Sequence, residues 1–351
     1  MDNSSANAVP GPEADLRPDG PVRDSVREYA AMRPRLVRPT ERSREMITSL
    51  IDDAGINYLN VASRTKSVAS FAAKAARIQA RNPAADPIAA ITDTVGVRVV
   101  TFVQADVAAV AALFDDLFQV LEDRDMGLET AAEGQFGYSS RHILMRVPDV
   151  APIGFEDVAG TVISVQVRTV LQHAWAEFEH DVRYKATVPE VLGPDLDRRF
   201  TLAAGLLELA DREFSEIRSH LQAAAAHPDL SAHPSDPRIS AADLAAFLDA
   251  AYPDAGWSRT EHYGWISGLL LELGITSLAE LEALLTGVDI DALIELMGYR
   301  HPTGAVRRLD DALLAIFGEQ YVGLKENSHR VAALRTRLLK LTPPPPTDDE
   351  F

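Results

Sequence analysis

Apolar positions along the chain switch between two periods, and the switches outline a fold. Helical spacing over Arg42–Asp53 predicts a short helix that stops near Gly55. Ile56–Ala62 reads as a strand, and Ser67–Ala80 returns to helical spacing with Phe71, Ala75 and Ile78 on one side. Val95–Val103 is a β-branched run behind Asp93, the pattern of a strand. Val107–Leu121 has the period of a helix. Ser140–Val147 and Thr161–Arg168 alternate apolar and polar residues and predict two more strands. Val170–Lys185 is an amphipathic helix with Trp175, Phe178 and Val182 on one face, and Leu196–Ala226 is a longer one. Strands interleaved with helices predict an α+β unit, a mixed β-sheet with flanking helices.

The pattern changes near residue 228. His, Pro, Ser and Asp between Pro228 and Pro237 mark a linker. Beyond it come only helical stretches: Ala241–Ala251, Glu261–Leu273, Ser277–Leu285, Asp289–Met297, Arg307–Phe317 and finally Lys325–Leu341. Ser240 with Asp243 forms an N-cap pair for the first of them. The expected organisation is a disordered leader over 1–20, an α+β domain over 21–227, a linker over 228–238, an all-α C-terminal region over 239–341 and a disordered proline-rich tail over 342–351. The C-terminal helices have three uses open to them: burying a core of their own, docking on the first domain, or self-association. Trp257, Tyr263 and Trp265 lie close enough in sequence for an aromatic cluster within such a core.

Composition narrows the function. The 351 residues carry a net charge of −18, which argues against broad electrostatic binding of nucleic acid. Cationic residues nevertheless crowd the start: Arg23, Arg27, Arg33, Arg35, Arg38, Arg42 and Arg44, then Arg64, Lys66, Lys74, Arg77 and Arg81. Such a distribution suits a small polyphosphate held locally. The chain has no cysteine, which excludes disulfides and thiol nucleophiles and fits a reducing cytoplasm. No apolar run reaches the length of a membrane span.

Several residue groups carry candidate chemistry. Arg64, Lys66 and Lys74 fall at a strand end and on the helix after it, where cations and free N–H groups suit phosphate oxygens. Asp93 precedes a strand, a place from which a carboxylate holds Mg²⁺. Tyr138 and His142 follow a Gly134-Gln-Phe-Gly137 turn and offer a ring to stack on a base and a hydrogen-bonding partner for it. His173, Glu177 and His180 share a helical face, a spacing open to a metal but without the HExxH pattern. There is no GxxxxGK[ST] phosphate loop.

The order of these groups is more telling than any one of them. Arg64-Thr-Lys-Ser-Val-Ala-Ser70 with Lys74, Asp93-Thr-Val-Gly-Val-Arg98, Gly137-Tyr-Ser-Ser-Arg-His142, Gln166-Val-Arg-Thr169 and Gln172-His-Ala-Trp-Ala-Glu-Phe-Glu-His180 together resemble the RelA/SpoT-type (p)ppGpp synthetase domain. The architecture is similar to a small alarmone synthetase with a helical C-terminal extension. The resemblance implies a nucleotidyltransferase-like fold and a GTP pyrophosphokinase that moves diphosphate from ATP to the 3′-hydroxyl of GTP or GDP. It implies that Arg64 and Arg98 sandwich the adenine, that Lys66, Ser70 and Lys74 hold the ATP phosphates, and that Asp93 binds Mg²⁺. It implies further that Tyr138 stacks on the acceptor base with His142 and His173 near it, that Gln166 and Arg168 line the floor, and that the protein is a cytoplasmic homo-oligomer.

Two positions depart from the family. The Glu that precedes the Gln-x-Arg-Thr block by two residues is Ser164 here, and a hydroxyl does not replace a carboxylate as base or metal ligand near neutral pH. The loop Thr130-Ala-Ala-Glu-Gly-Gln-Phe136 lacks the cations that hold the acceptor's 5′-phosphates. These departures keep two alternatives in view: diphosphate transfer to the 3′-CCA end of tRNA, and a catalytically degenerate nucleotide-binding regulator.

Overall fold

A computed structural model describes residues 20–127, 129, 140–185, 193–224, 237–299 and 301–341. Helix α1 (Pro21–Asp53) leads into β1 (Asn60–Thr65), α2 (Val68–Arg81), the short α3 (Pro87–Ala90), β2 (Val95–Thr101) and α4 (Gln104–Leu117). Then come β3 (Gln119–Asp125), β4 (Arg141–Arg146), β5 (Val162–Thr169), α5 (Val170–Lys185) and α6 (Gly193–Ala224). The strands form one five-stranded sheet in the order β1-β2-β5-β4-β3. Only the central pair β2/β5 is parallel, so the sheet is mixed, as the periodicity implies.

Alternation along the strands gives the sheet two unlike faces. Val97, Val99, Ile143, Met145, Ile163, Val165 and Val167 are buried and form one core with Met46, Ile47 and Ile51 of α1 and Val110 and Phe114 of α4. The opposite face carries the other parity. Across it, register sets Arg64 beside Gly96, Gly96 beside Ser164, and Ser164 beside Leu144. The next row runs Arg98, Gln166, His142, Arg124. A bulge between Val120 and Glu122 restores this parity in β3, bringing Glu122 opposite Leu144 and Arg124 opposite His142.

Helices α7 (Ala241–Ala251), α8 (Thr260–Glu272), α9 (Leu278–Leu285), α10 (Ile290–Met297), α11 (Ala305–Phe317), α12 (Glu319–Val322) and α13 (Val331–Leu341) form the C-terminal part. They bury a separate core that includes Leu244, Ile266, Leu269, Leu281, Leu309 and Leu313. Of the three uses open to them, two are seen together, because this part also docks on the sheet unit. Gly304 donates its N–H to the Ala54 carbonyl, and a Cβ on Gly304 would stand 2.2 Å from the Gly55 oxygen, so only glycine permits this approach. Ser258 Oγ donates to Gly55 O at 2.7 Å, and His301 Nδ1 lies 2.7 Å from Asp116 Oδ2. Tyr263 joins the helical core, Trp257 donates to Asp249 Oδ2 at 2.8 Å, and Arg330 lies over the Trp265 ring.

Several expectations need correction. The first helix begins at Pro21, nearly two-thirds of its length before Arg42. Pro34 and Pro39 suggest breaks, yet Thr40 and Ser43 hydroxyls donate back to Leu36 and Pro39 carbonyls, and Tyr29, Val26, Met32 and Leu36 pack on α2 and α3. Packing outweighs the missing N–H groups. The strand expected over Ile56–Ala62 starts at Asn60; Ile56 and Tyr58 are buried by the loop that precedes it. The helix expected over Val107–Leu121 ends at Leu117, and Gln119–Asp125 is an exposed edge strand whose charges conceal the alternation. The last helix starts at Val331, after a 3₁₀ turn at Lys325–Asn327. The Ser240 cap is present, its oxygen accepting from Asp243 N at 3.1 Å. The leader, most of the linker and the tail lie outside the described residues. Among the described residues, no helix is long and apolar enough to cross a membrane.

Candidate active site on the polar sheet face

The site is built where β1 ends, α2 begins and β2 starts. Ser67 caps α2 by accepting from Ser70 N at 3.1 Å, which leaves the first turn open next to Lys66. Lys66 Nζ lies 2.6 Å from Asp93 Oδ2, and Lys74 Nζ, two turns along α2, lies 2.9 Å from Asp93 Oδ1. Lys66 is buried whereas Lys74 and Asp93 are each about one-third exposed, 35% and 30% at the side chain. Burial pushes the Asp93 carboxyl up, but the hydrogen bonds and charges of Lys66 and Lys74 outweigh it and hold the group below its ordinary range. Asp93 is therefore ionised at neutral pH.

The floor continues across β2, β5 and β4. Gly96 places no side chain between Arg64 and Ser164, and a Cβ there would press to 3.3 Å on the Arg64 carbonyl. Arg98 Nη1 donates to Glu177 Oε1 of α5 at 2.7 Å, and His173 Nδ1 lies 3.7 Å from the same oxygen. Arg168 Nη2 donates to Gln166 Oε1 at 2.6 Å, while its Nε is buried without a partner. Burial, then the nearby Arg98, pushes the Arg168 guanidinium down to about 10 despite Glu177. His142 Nε2 lies 3.3 Å from Ser140 Oγ. Burial first, then Arg168 and Arg124, lowers the His142 imidazole, and burial followed by Arg98 lowers that of His173. Both rings are neutral at pH 7, so the face gathers fixed cations without adding imidazolium charge.

The helix carrying His173 and Glu177 is fixed by its own start. Thr169 N donates to Gln172 Oε1 at 2.9 Å and Gln172 N to Thr169 Oγ1 at 3.1 Å, a reciprocal cap in which the two side chains serve the backbone. Thr169 Oγ1 also donates to Asp211 Oδ2 of α6 at 2.8 Å.

Of the residues singled out by sequence, Lys66, Lys74 and Asp93 meet directly, and Arg64, Arg98, Gln166, Arg168 and His142 share the face beside them. Ser70 stands at the mouth of α2 with its hydroxyl 2.8 Å from that of Ser67. Tyr138 and the loop 130–136 lie outside the described residues. Among the described residues, no cluster of three or more metal-ligating side chains occurs, and Glu177 of the His173/Glu177/His180 face turns to Arg98. Sequence reading missed Tyr29 and Arg33 of α1, which grip the Lys66 carbonyl at 2.6 and 3.0 Å. The only signal was an aromatic residue within the arginine-rich start.

Residues 63–188, which hold every group of the site outside α1, match the family model for the region found in RelA/SpoT proteins. The GTP pyrophosphokinase YjbM of Bacillus subtilis (strain 168) is 30% identical over 170 residues, 47% of this chain and 74% of the relative. Among solved structures, the small alarmone synthetase 1 from Bacillus subtilis is 27% identical over 57% of this chain and 94% of its own, with a TM-score of 0.37. The same protein bound to its product pppGpp is 26% identical with a TM-score of 0.39, again over 57% of this chain and 94% of that one. With these residues in this order over three-quarters of such a relative, the chain belongs to the RelA/SpoT family.

Proposed function

We propose that the chain is an ATP-dependent pyrophosphokinase that makes (p)ppGpp-type alarmones in the cytoplasm, with the unit over 21–227 carrying the activity and the helical region over 239–341 supporting it. The observation that carries this reading is Asp93 clasped between Lys66 and Lys74 at the open end of the polar face, in a chain of this family. In the reaction the 3′-hydroxyl oxygen of GTP or GDP bonds to the β-phosphorus of ATP. The bond from that phosphorus to the α,β-bridging oxygen breaks, and AMP departs. Lys66 and Lys74 neutralise Asp93; Lys66, buried, meets the β- and γ-phosphates in place, and Lys74, the more exposed of the two, turns to them when ATP enters.

Asp93, ionised and one-third exposed, fits Mg²⁺, which takes one or two carboxylates and completes its shell with water and substrate phosphate. When bound, the ion would neutralise phosphate charge; the lysines, Arg64 and Arg98 orient the donor beside it. Arg64 lies opposite Gly96 on the adjacent strand and Arg98 two residues beyond it, and with no side chain at Gly96 the two guanidinium groups serve a flat base between them. His142, neutral and beside Gln166, and the Tyr138 ring serve the acceptor base. The acceptor hydroxyl proton has no carboxylate at position 164 to receive it, which makes Ser164 the test of the proposal.

The deciding experiment incubates the protein with ATP labelled in its β,γ-phosphates, Mg²⁺ and GDP, GTP or deacylated tRNA, with Asp93→Asn as control. Label on a free guanine nucleotide that disappears with Asp93→Asn is the expected result. Label on tRNA alone, or transfer to no acceptor, overturns it. Self-association belongs to the same proposal: Leu202, Leu206 and Leu209 are 59%, 69% and 54% exposed on the side of α6 opposite buried Ala204 and Asp211. Light scattering of Leu206→Glu against the unaltered chain tests it.

A further inference from the structure

We propose that Tyr29 and Arg33 of α1 are positioning residues for ATP, acting through the Lys66 main chain; this rests on the proposed pyrophosphokinase reading. The Lys66 peptide is held from both sides. Its N–H donates to Thr94 O at 3.0 Å. Its carbonyl accepts from Tyr29 Oη at 2.6 Å and Arg33 Nε at 3.0 Å, which uses both lone pairs of the oxygen. One residue earlier, Thr65 Oγ1 donates to Thr40 Oγ1 at 2.9 Å, and that hydroxyl donates to Leu36 O at 2.7 Å.

Tyr29 is fully buried and stacks on Phe71 in the first turn of α2, with centroids 4.2 Å apart and an interplanar angle of 6°. Burial keeps its phenol protonated, against the pull of Arg33, so it remains a donor. The clasp fixes the peptide that joins Lys66 to the Ser67 cap. It thereby fixes both the direction in which the Lys66 side chain leaves the backbone and the start of α2.

The two lysines on Asp93 are thus unequal. Lys66 is buried on a backbone pinned by three hydrogen bonds. Lys74 reaches Asp93 from the surface of α2 at 35% side-chain exposure. Lys66 is the fixed reference for the phosphates, and Lys74 is the arm that moves.

The test compares Tyr29→Phe, which keeps the stack on Phe71, with Arg33→Gln, Arg33→Lys and the Tyr29→Phe/Arg33→Gln double variant. KM for ATP, KM for the guanine nucleotide, kcat and Tm are measured on the full chain. Each single loss of a donor is expected to raise KM for ATP about fivefold, the worth of one hydrogen bond. The double variant raises it further, Arg33→Lys recovers part of the loss, and acceptor KM and Tm stay put. The proposal is overturned by an unchanged KM for ATP, or by ATP and acceptor constants rising together with a falling Tm, which is the signature of a structural role only. Should the unaltered chain transfer to no acceptor, the pyrophosphokinase reading fails separately. Calorimetric affinity for a non-hydrolysable ATP analogue then decides the clasp on the same variants by the same criteria.

Discussion

Two places in this chain set an aspartate between cations, and they are built for opposite ends. At the sheet mouth, Asp93 bonds Lys66 and Lys74 through single ammonium contacts, and one-third of its side chain meets solvent. At the junction with the C-terminal helices, Asp310 accepts from Arg337 Nη1 at 2.7 Å and from Arg330 Nη2 and Tyr321 Oη, and is 1% exposed. Arg307 there bridges Asp53 at 2.6 Å, Asp311 at 3.3 Å and the Tyr299 hydroxyl at 2.7 Å. Lysine is a flexible point charge that exchanges partners; arginine forks satisfy several acceptors at once in a fixed plane. The first arrangement can open for a polyphosphate, and the second is buried away from one.

Asp93→Asn should break the first arrangement with the larger effect. It removes the carboxylate proposed to hold Mg²⁺ and leaves Lys66 and Lys74 without their counter-charge, so kcat should fall by about 10²–10³ or more, on the scale of lost transition-state electrostatics. Stability should fall less than at the junction, because Asp93 and Lys74 are partly exposed and only Lys66 is left buried without its counter-charge. A clear loss of Tm with activity retained would reverse the comparison.

Asp310→Asn should do the converse. Burial pushes Asp310 up, yet Arg330, Arg337 and Arg307 hold it far below the carboxylate range, and Asp53 is likewise lowered by Arg307, Arg337 and Arg330 despite its burial. Removing the charge strands buried guanidinium groups at a cost of about 3–5 kcal/mol, read by urea unfolding. Depressed folded-state values mean that this stability is full above the ordinary carboxylate range and is lost as pH falls below it. The folded fraction that remains should turn over ATP normally.

Ser164→Glu sharpens the comparison from the missing side. Ser164 lies between Gly96 and Leu144 on the polar face, and the glycine leaves room for a longer side chain. A carboxylate there restores a proton acceptor, and kcat should rise about 10²-fold, the low end of general-base contributions. An unchanged kcat would show that another group, such as neutral His142, already takes the proton.

The two arrangements were unequally legible in the sequence. Lys66, Lys74 and Asp93 stand in ordered blocks whose spacing is visible in the sequence, β2 announces itself as a β-branched run, and β4 and β5 do so by alternation. The junction is invisible in one dimension: Asp53 and Arg307 are 254 residues apart, and their meeting depends on Gly304 admitting the Gly55 carbonyl. The clasp on Lys66 was hidden because the first helix was expected only from Arg42, whereas the part before it, with Tyr29 and Arg33, is held by packing on Phe71 and α3. Edge strand β3 was lost because its Val120-Leu121 pair continues the helical spacing before it and the exposed run Glu122–Arg124 is charged. Local pattern carries what backbone propensity decides, and tertiary packing carries the rest.

A third aspartate sits between these two cases and gives the smallest effect. Asp249, on α7 in the helical part, is 6% exposed, and Trp257 Nε1 donates to its Oδ2 at 2.8 Å while Oδ1 has no partner. Burial pushes its carboxyl up to about 6, against the weaker pull of Trp257 and of Arg218. A raised folded-state value means that ionisation works against the fold: the penalty is absent below the ordinary carboxylate pKa, grows up to about pH 6 and is constant above it. Asp249→Asn keeps an oxygen for the indole N–H and removes the charge, so it should stabilise the protein by about 1–3 kcal/mol at pH 8. The gain should shrink to nothing near pH 4, read as the difference in urea midpoints across that range. A loss at pH 8 would mean that Arg218 pairs with Asp249 as firmly as Arg337 does with Asp310, and a gain independent of pH would mean that the substitution acts through packing rather than through the charge.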